Sequence, residues 1–142
     1  MFSYIVTGKI SDLLLPPTVP AVRADNLWQH TCFEAFVQAE GEEAYREYNF
    51  APSGDWAAYD FTGRREGMTR ADVGPPPYIR MEDNFTWWTV GATIAVDAAV
   101  TWELGLSAVL EEQDGAKSYW ALAHTSPAPD FHDPGCFIAR LP

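Results

Sequence analysis

Within DNLWQHTCFEAFVQAE, residues 25–40, an imidazole, a thiol, a carboxylate and a large ring recur at every second position: His30, Cys32, Glu34 and Phe36. Successive side chains of a strand point to opposite faces, so an extended backbone lines these four up on one side. Thr31, Phe33, Ala35 and Val37 fall on the other side and read as core. The polar row could hold a ligand, bind a metal or support nucleophilic chemistry. Each needs a different geometry.

Metal binding fits poorly. His30 and Glu34 are four residues apart, about 13 Å on a strand, too far to share one ion. Ligation would need one of them together with His124 and His132, and no spacing specifies that set. A metal-dependent hydrolase or isomerase built on His30, His124 and His132 therefore stands as an alternative. Loop aspartates such as Asp130 and Asp133 could instead hold calcium. A haem would need axial ligands, and nothing ties Met68 or Met81 to a histidine. The cofactor is unknown, with neither haem nor metal assigned. Cys32 and His30 lie about 6–7 Å apart on one strand face, loose for a nucleophile and its base, so Cys32 reads as a buried structural thiol.

Sugar binding asks for flat rings and fixed polar groups, because a sugar presents C–H faces and a rim of hydroxyls. The chain has six Trp, six Tyr and eight Phe. Trp28, Trp56, Trp87 and Trp120 could supply platforms, and His30, Glu34, Asn49 and His124 the grip. A buried Glu34 requires a partner, which could be His30, Arg46, a backbone group or the ligand. A polar network that merely pins the sheet remains open beside this.

The elements that would position these residues are short alternating runs. Residues 2–10, 30–38, 45–52 and 55–61 alternate, and the last three suggest an antiparallel meander with a turn at APSG. Residues 63–78 are rich in Gly and Pro and read as a long irregular loop. A short strand is expected at 78–83 and a strongly alternating one at 86–96, with Asp97 capping a helical turn. Asp114-Gly115, between two alternating runs, is a tight-hairpin signal. A last strand falls near 136–141. The pattern predicts an all-β, antiparallel two-sheet sandwich of jelly-roll or immunoglobulin-like type, with eight or nine strands in one domain over residues 1–142.

The net charge of −11 argues against nucleic acid and against docking on anionic membranes. The one basic cluster, Arg64, Arg65 and Arg70, falls in the expected loop. Two cysteines, Cys32 and Cys136, make no disulfide framework, although one bridge between them is possible. With no signal-peptide pattern and no run near 18 apolar residues, a cytoplasmic location is expected.

LWQHTCFEAFV (27–37), YREYNFAPSGDWAAYDF (45–61) and SYWALAHTSPAPDFHDPGCFIARL (118–141) together resemble the bacterial DOMON-like domain proteins. That group is similar in fold to DOMON domains and to the family-nine carbohydrate-binding modules, β-sandwiches that hold haem or sugar on one face. The resemblance implies a β-sandwich with a ligand face. Trp28, Glu34 and Phe36 match the modules' Trp and Glu-x-Phe pattern, and Asn49, Pro52 and Gly54 look like their Asn-Pro-x-Gly. His30 and Thr31 stand where the modules carry acidic residues, so calcium is not implied. The expectation is a non-catalytic module for a sugar or sugar-like small molecule, using Trp28, His30, Glu34, Asn49, Trp56, Trp120 and His124. Besides the metal enzyme, a haem-binding domain and a protein-interaction module using residues 63–78 are the alternatives.

Overall fold

The computed structural model describes residues 1–142. Ten strands follow in order: β1 Phe2–Thr7, β2 Cys32–Ala39, β3 Tyr45–Phe50, β4 Trp56–Phe61, β5 Thr69–Arg70, β6 Tyr78–Asp83, β7 Trp87–Thr93, β8 Trp102–Glu111, β9 Lys117–Ala121 and β10 Ala139–Leu141. Only short 3-10 turns interrupt them, and no helix is long and apolar enough to cross a membrane.

The strands form two antiparallel sheets. The smaller runs β1-β7-β6, and the larger runs β10-β8-β2-β3-β4-β5, with β9 also paired to β8. The fold is the expected all-β sandwich. The tenth strand is β5, a two-residue piece that pairs with β4 inside the segment expected to be irregular. The expected helical turn after Asp97 is instead a simple turn, with the Asp97 side chain accepting from the Ala99 N–H. The carboxylate satisfies the local backbone without starting a helix.

Alternation explains how the sheets meet. Phe33, Ala35 and Val37 of β2 point between the sheets with Tyr48, Phe50, Trp56, Ala58, Ala108 and Leu110. They pack on Phe2, Trp88, Val90 and Ala92 of the smaller sheet. Phe33 anchors this layer, with its ring centroid 5.1 Å from Trp88 and 5.0 Å from Tyr4. Burying one such ring is worth about 1.5–3 kcal/mol.

Two turns set the register. Between β8 and β9, Glu112 and Gly115 close the hairpin, with Gly115 at φ +87°, a conformation glycine adopts without strain. The turn at 51–55 pairs Phe50 with Trp56 and Asn49 with Ala57. Trp56 therefore shares the core face of Phe50, and Tyr59 and Phe61 share the opposite face with Asn49.

The smaller sheet covers only one side of the larger one. The other face carries the polar row, and β2 is nonetheless buried on both faces from Cys32 to Gln38. Irregular segments supply that second cover. They hold a second apolar cluster containing Phe36, Tyr45, Tyr59, Phe61, Phe131 and Phe137. Gly105 of β8 makes room for this layer. A Cβ there would lie 2.6 Å from Phe137 Cδ1, so only glycine lets that ring lie flat and stack on Phe36.

Candidate functional site

The outer face of the large sheet is a cleft of about 930 Å³. Its floor is assembled by the two-residue period of adjacent strands. β2 contributes Glu34, β3 contributes Glu47, β4 contributes Tyr59 and Phe61, and β9 contributes Lys117 and Tyr119. One wall is the segment 25–30, with Trp28 and His30. Another part of the wall is formed by Arg65 and Met68 with Phe131 and His132.

A charged clasp holds that wall together. Arg64 pairs with Asp130 at 2.5 Å and with Asp133 at 3.1 Å. Arg65 pairs with Asp130 at 2.9 Å. Burial acts to raise the Asp130 carboxyl, but the hydrogen bonds and charges of the two arginines hold it below the usual range. The loop after β4 is thereby tied to the segment before β10. The aspartates considered for calcium are the arginines' partners.

At the floor, two carboxylates lie on one sheet face. Glu34 is opposite Asn49 across the β2–β3 ladder, which makes Glu47 its diagonal neighbour. Both glutamates are only 5% exposed. Glu34 Oε2 accepts from Ser107 Oγ at 2.8 Å. Burial first, then Glu47, pushes the Glu34 carboxyl up to about 8, against the opposing pull of Ser107 and Arg65. Burial also raises Glu47, offset by the Asn49 amide and by Arg65. That amide donates to Glu47 Oε1 at 2.8 Å, while Asn49 Oδ1 is buried without a partner.

His132 completes the constellation, and its tautomer follows from its neighbours. The Arg65 backbone N–H donates to the Tyr45 hydroxyl at 3.1 Å. The hydroxyl proton is then free to go to His132 Nδ1, 2.8 Å away. A neutral ring consequently carries its proton on Nε2, which faces Glu47 Oε2 at 3.5 Å. That separation is electrostatic contact more than a short hydrogen bond. Burial, then the Arg65 charge, pushes His132 down to about 4, so it is neutral at pH 7.

Of the residues expected at the site, Trp28, His30 and Glu34 line the cleft together. Asn49 sits behind Glu47, wholly buried. The remaining three lie elsewhere. Trp56 is packed between the sheets beneath the Arg23 guanidinium, 5.1 Å from its ring. Trp120 is on the far side of β9, because Tyr119 takes the cleft-facing position, and it lines a separate apolar groove beside β1. His124 is exposed, with its ring 6.0 Å from Phe131.

The candidate partners of Glu34 are also reassigned. Arg46 belongs to the opposite face, where it holds Asp60 at 2.6 Å. His30 turns to Glu111 at 2.7 Å. His30 and His132 line the cleft on different partners, and His124 lies outside it. Cys32 and Cys136 are buried free thiols, and Cys32 is held protonated by burial and by Glu34.

Glu47, Tyr59, Tyr119 and Arg65 were not among the expected site residues. The alternation of YREYNF already puts Tyr45, Glu47 and Asn49 on one side, so Glu47 was accessible from Asn49 by parity alone.

No family model matches the chain, and no curated protein does. The fold is similar to a crystal structure of a “putative carbohydrate-binding protein” from Bacteroides uniformis, at 17% identity and a TM-score of 0.65. The match covers 96% of this chain and 69% of that one. At that identity the likeness establishes the shared sandwich.

Proposed function

We propose that the protein is a non-catalytic binding module of the DOMON-like type, and that its cleft takes a sugar or sugar-like small molecule. The observation that carries this is the meeting of aromatic rings with buried polar groups in one cleft of about 930 Å³. Binding sites for small molecules commonly span roughly 300–1,000 Å³. The sandwich shared with the Bacteroides protein supports the same class.

The binding mode would be a division of labour. Trp28, half exposed at the mouth, offers an indole face to C–H groups, and Tyr59 and Tyr119 offer rings beside it. Glu34 has one oxygen engaged by Ser107, which leaves the other for ligand hydroxyls. Protonated near neutrality, it could both donate and accept.

Calorimetric titration of the full chain against a panel of neutral mono- and disaccharides, with Trp28→Ala as comparison, tests this. Saturable binding that Trp28→Ala weakens by about 1–3 kcal/mol is expected. Binding that survives the substitution unchanged would remove the indole from the site. Silence from every sugar would remove the ligand class.

A further inference from the structure

The floor of the cleft holds more hydrogen-bond acceptors than the protein supplies with donors. Glu34 receives one hydrogen bond, from Ser107. Glu47 receives one from Asn49 and faces the neutral His132 at 3.5 Å. Asn49 Oδ1 receives none, although it is fully buried. Neither glutamate is ion-paired to a Lys or Arg. The cations at the cleft are engaged elsewhere: Arg65 by Asp130 at 2.9 Å, Arg70 toward Asp25 at 3.5 Å, and the Lys117 ammonium on the Gln29 carbonyl at 2.5 Å.

From this imbalance we infer that the cleft selects ligands bearing a protonated amine, an amino sugar in particular, over their uncharged counterparts. The inference rests on the sugar-binding proposal and specifies its ligand class. A buried carboxylate without a counter-charge is held at a high desolvation cost, and an ammonium group supplies both the charge and the missing donors. Charge-assisted hydrogen bonds are about twice as strong as neutral ones. The rings of Trp28, Tyr59 and Tyr119 that line the cleft work the same way, since an aromatic face attracts a cation through the ring quadrupole.

A proton balance follows. An ammonium seated on Glu34 favours the ionised carboxylate, so binding near neutrality would release a proton from Glu34 to solvent. The titratable and charged groups around Glu34 are Cys32 on its own strand, Tyr4 on β1, Asp25 and His30 before β2, Glu47 on β3, Tyr59 on β4, Arg65 after it, Arg70 on β5, Lys117 and Tyr119 on β9, and His132 before β10. Of these, Cys32 is held protonated by burial, and His132 is neutral at pH 7.

The test is calorimetry of the full chain at pH 7 with glucosamine, N-acetylglucosamine, glucose and ethanolamine, repeated in buffers of different ionisation enthalpy. Glucosamine is expected to bind about tenfold tighter than N-acetylglucosamine or glucose, with net proton release. In Glu34→Gln the glucosamine preference should collapse toward unity and the proton release should vanish. Glu47→Gln provides a second variant, and the proton count on the unsubstituted chain stands even if both variants misfold. Equal binding of the neutral and amino sugars overturns the inference and leaves the sugar proposal standing. Binding of ethanolamine with no sugar bound overturns the sugar proposal and sustains the preference for a protonated amine. Absence of binding by all four overturns both.

Discussion

Replacing Glu34 with Gln is expected to flatten the fall of stability with pH above neutrality. Burial, then Glu47, pushes the Glu34 carboxyl up to about 8 from its ordinary 4.5. Between those values the folded chain keeps a proton that the unfolded chain has released. The stabilising contribution is therefore complete at low pH and is lost as pH rises through that range. His132 works in the opposite sense. Burial, then Arg65, pushes it down to about 4 from 6.5, so its contribution to stability grows as pH rises between those values. From pH 6.5 to 8 the folded histidine is already neutral and the unfolded one loses only its last half proton, worth about 0.4 kcal/mol, so the glutamate dominates. Across that window linkage gives a loss of roughly 2 kcal/mol. Glu47, also raised by burial, acts in the same direction and titrates with Glu34 as a pair. Urea unfolding followed by Trp fluorescence at pH 6.5 and pH 8 measures this, and the difference between variant and parent cancels the general effect of the −11 charge. The Gln variant should gain on the parent as pH rises. Parallel slopes for the two proteins would show that Glu34 is not held protonated by the fold.

Two further outcomes follow from packing. Gly105→Ala places a methyl 2.6 Å from the Phe137 ring and should cost about 1–3 kcal/mol in urea unfolding, because the ring must leave its stack on Phe36. The indoles should separate by side of the sheet. Trp56→Ala, 9% exposed in the core, should destabilise by about 3–5 kcal/mol, whereas Trp120→Ala, 61% exposed, should stay within about 0.5 kcal/mol, both by thermal or urea unfolding.

Much of the architecture is legible in the chain. Period-two alternation marks β2, β3, β4 and β7, and Asp114-Gly115 marks the β8–β9 hairpin, because pleat and turn preferences act over a few neighbouring residues. The same parity sorts Phe33 from Glu34 and predicts that a polar row shares one face. It does not say what lies against that face.

That decision belongs to the tertiary structure. Parity within a strand becomes a shared surface only when register is known, and the turn at 51–55 is what sends Trp56 inward and Tyr59 to the cleft. Parity puts Tyr119 and Trp120 on opposite faces of β9, and the β8–β9 register decides that Tyr119 is the one that meets the cleft. The cover over Glu34 and Glu47 comes from residues far away in sequence, through the clasp of Arg64 and Arg65 on Asp130. Burial of those carboxylates is a property of the assembled surface. Local sequence determined which face of its own strand each acid takes. Only long-range packing removed them from water, and desolvation is what perturbs their titration and would let them hold a ligand.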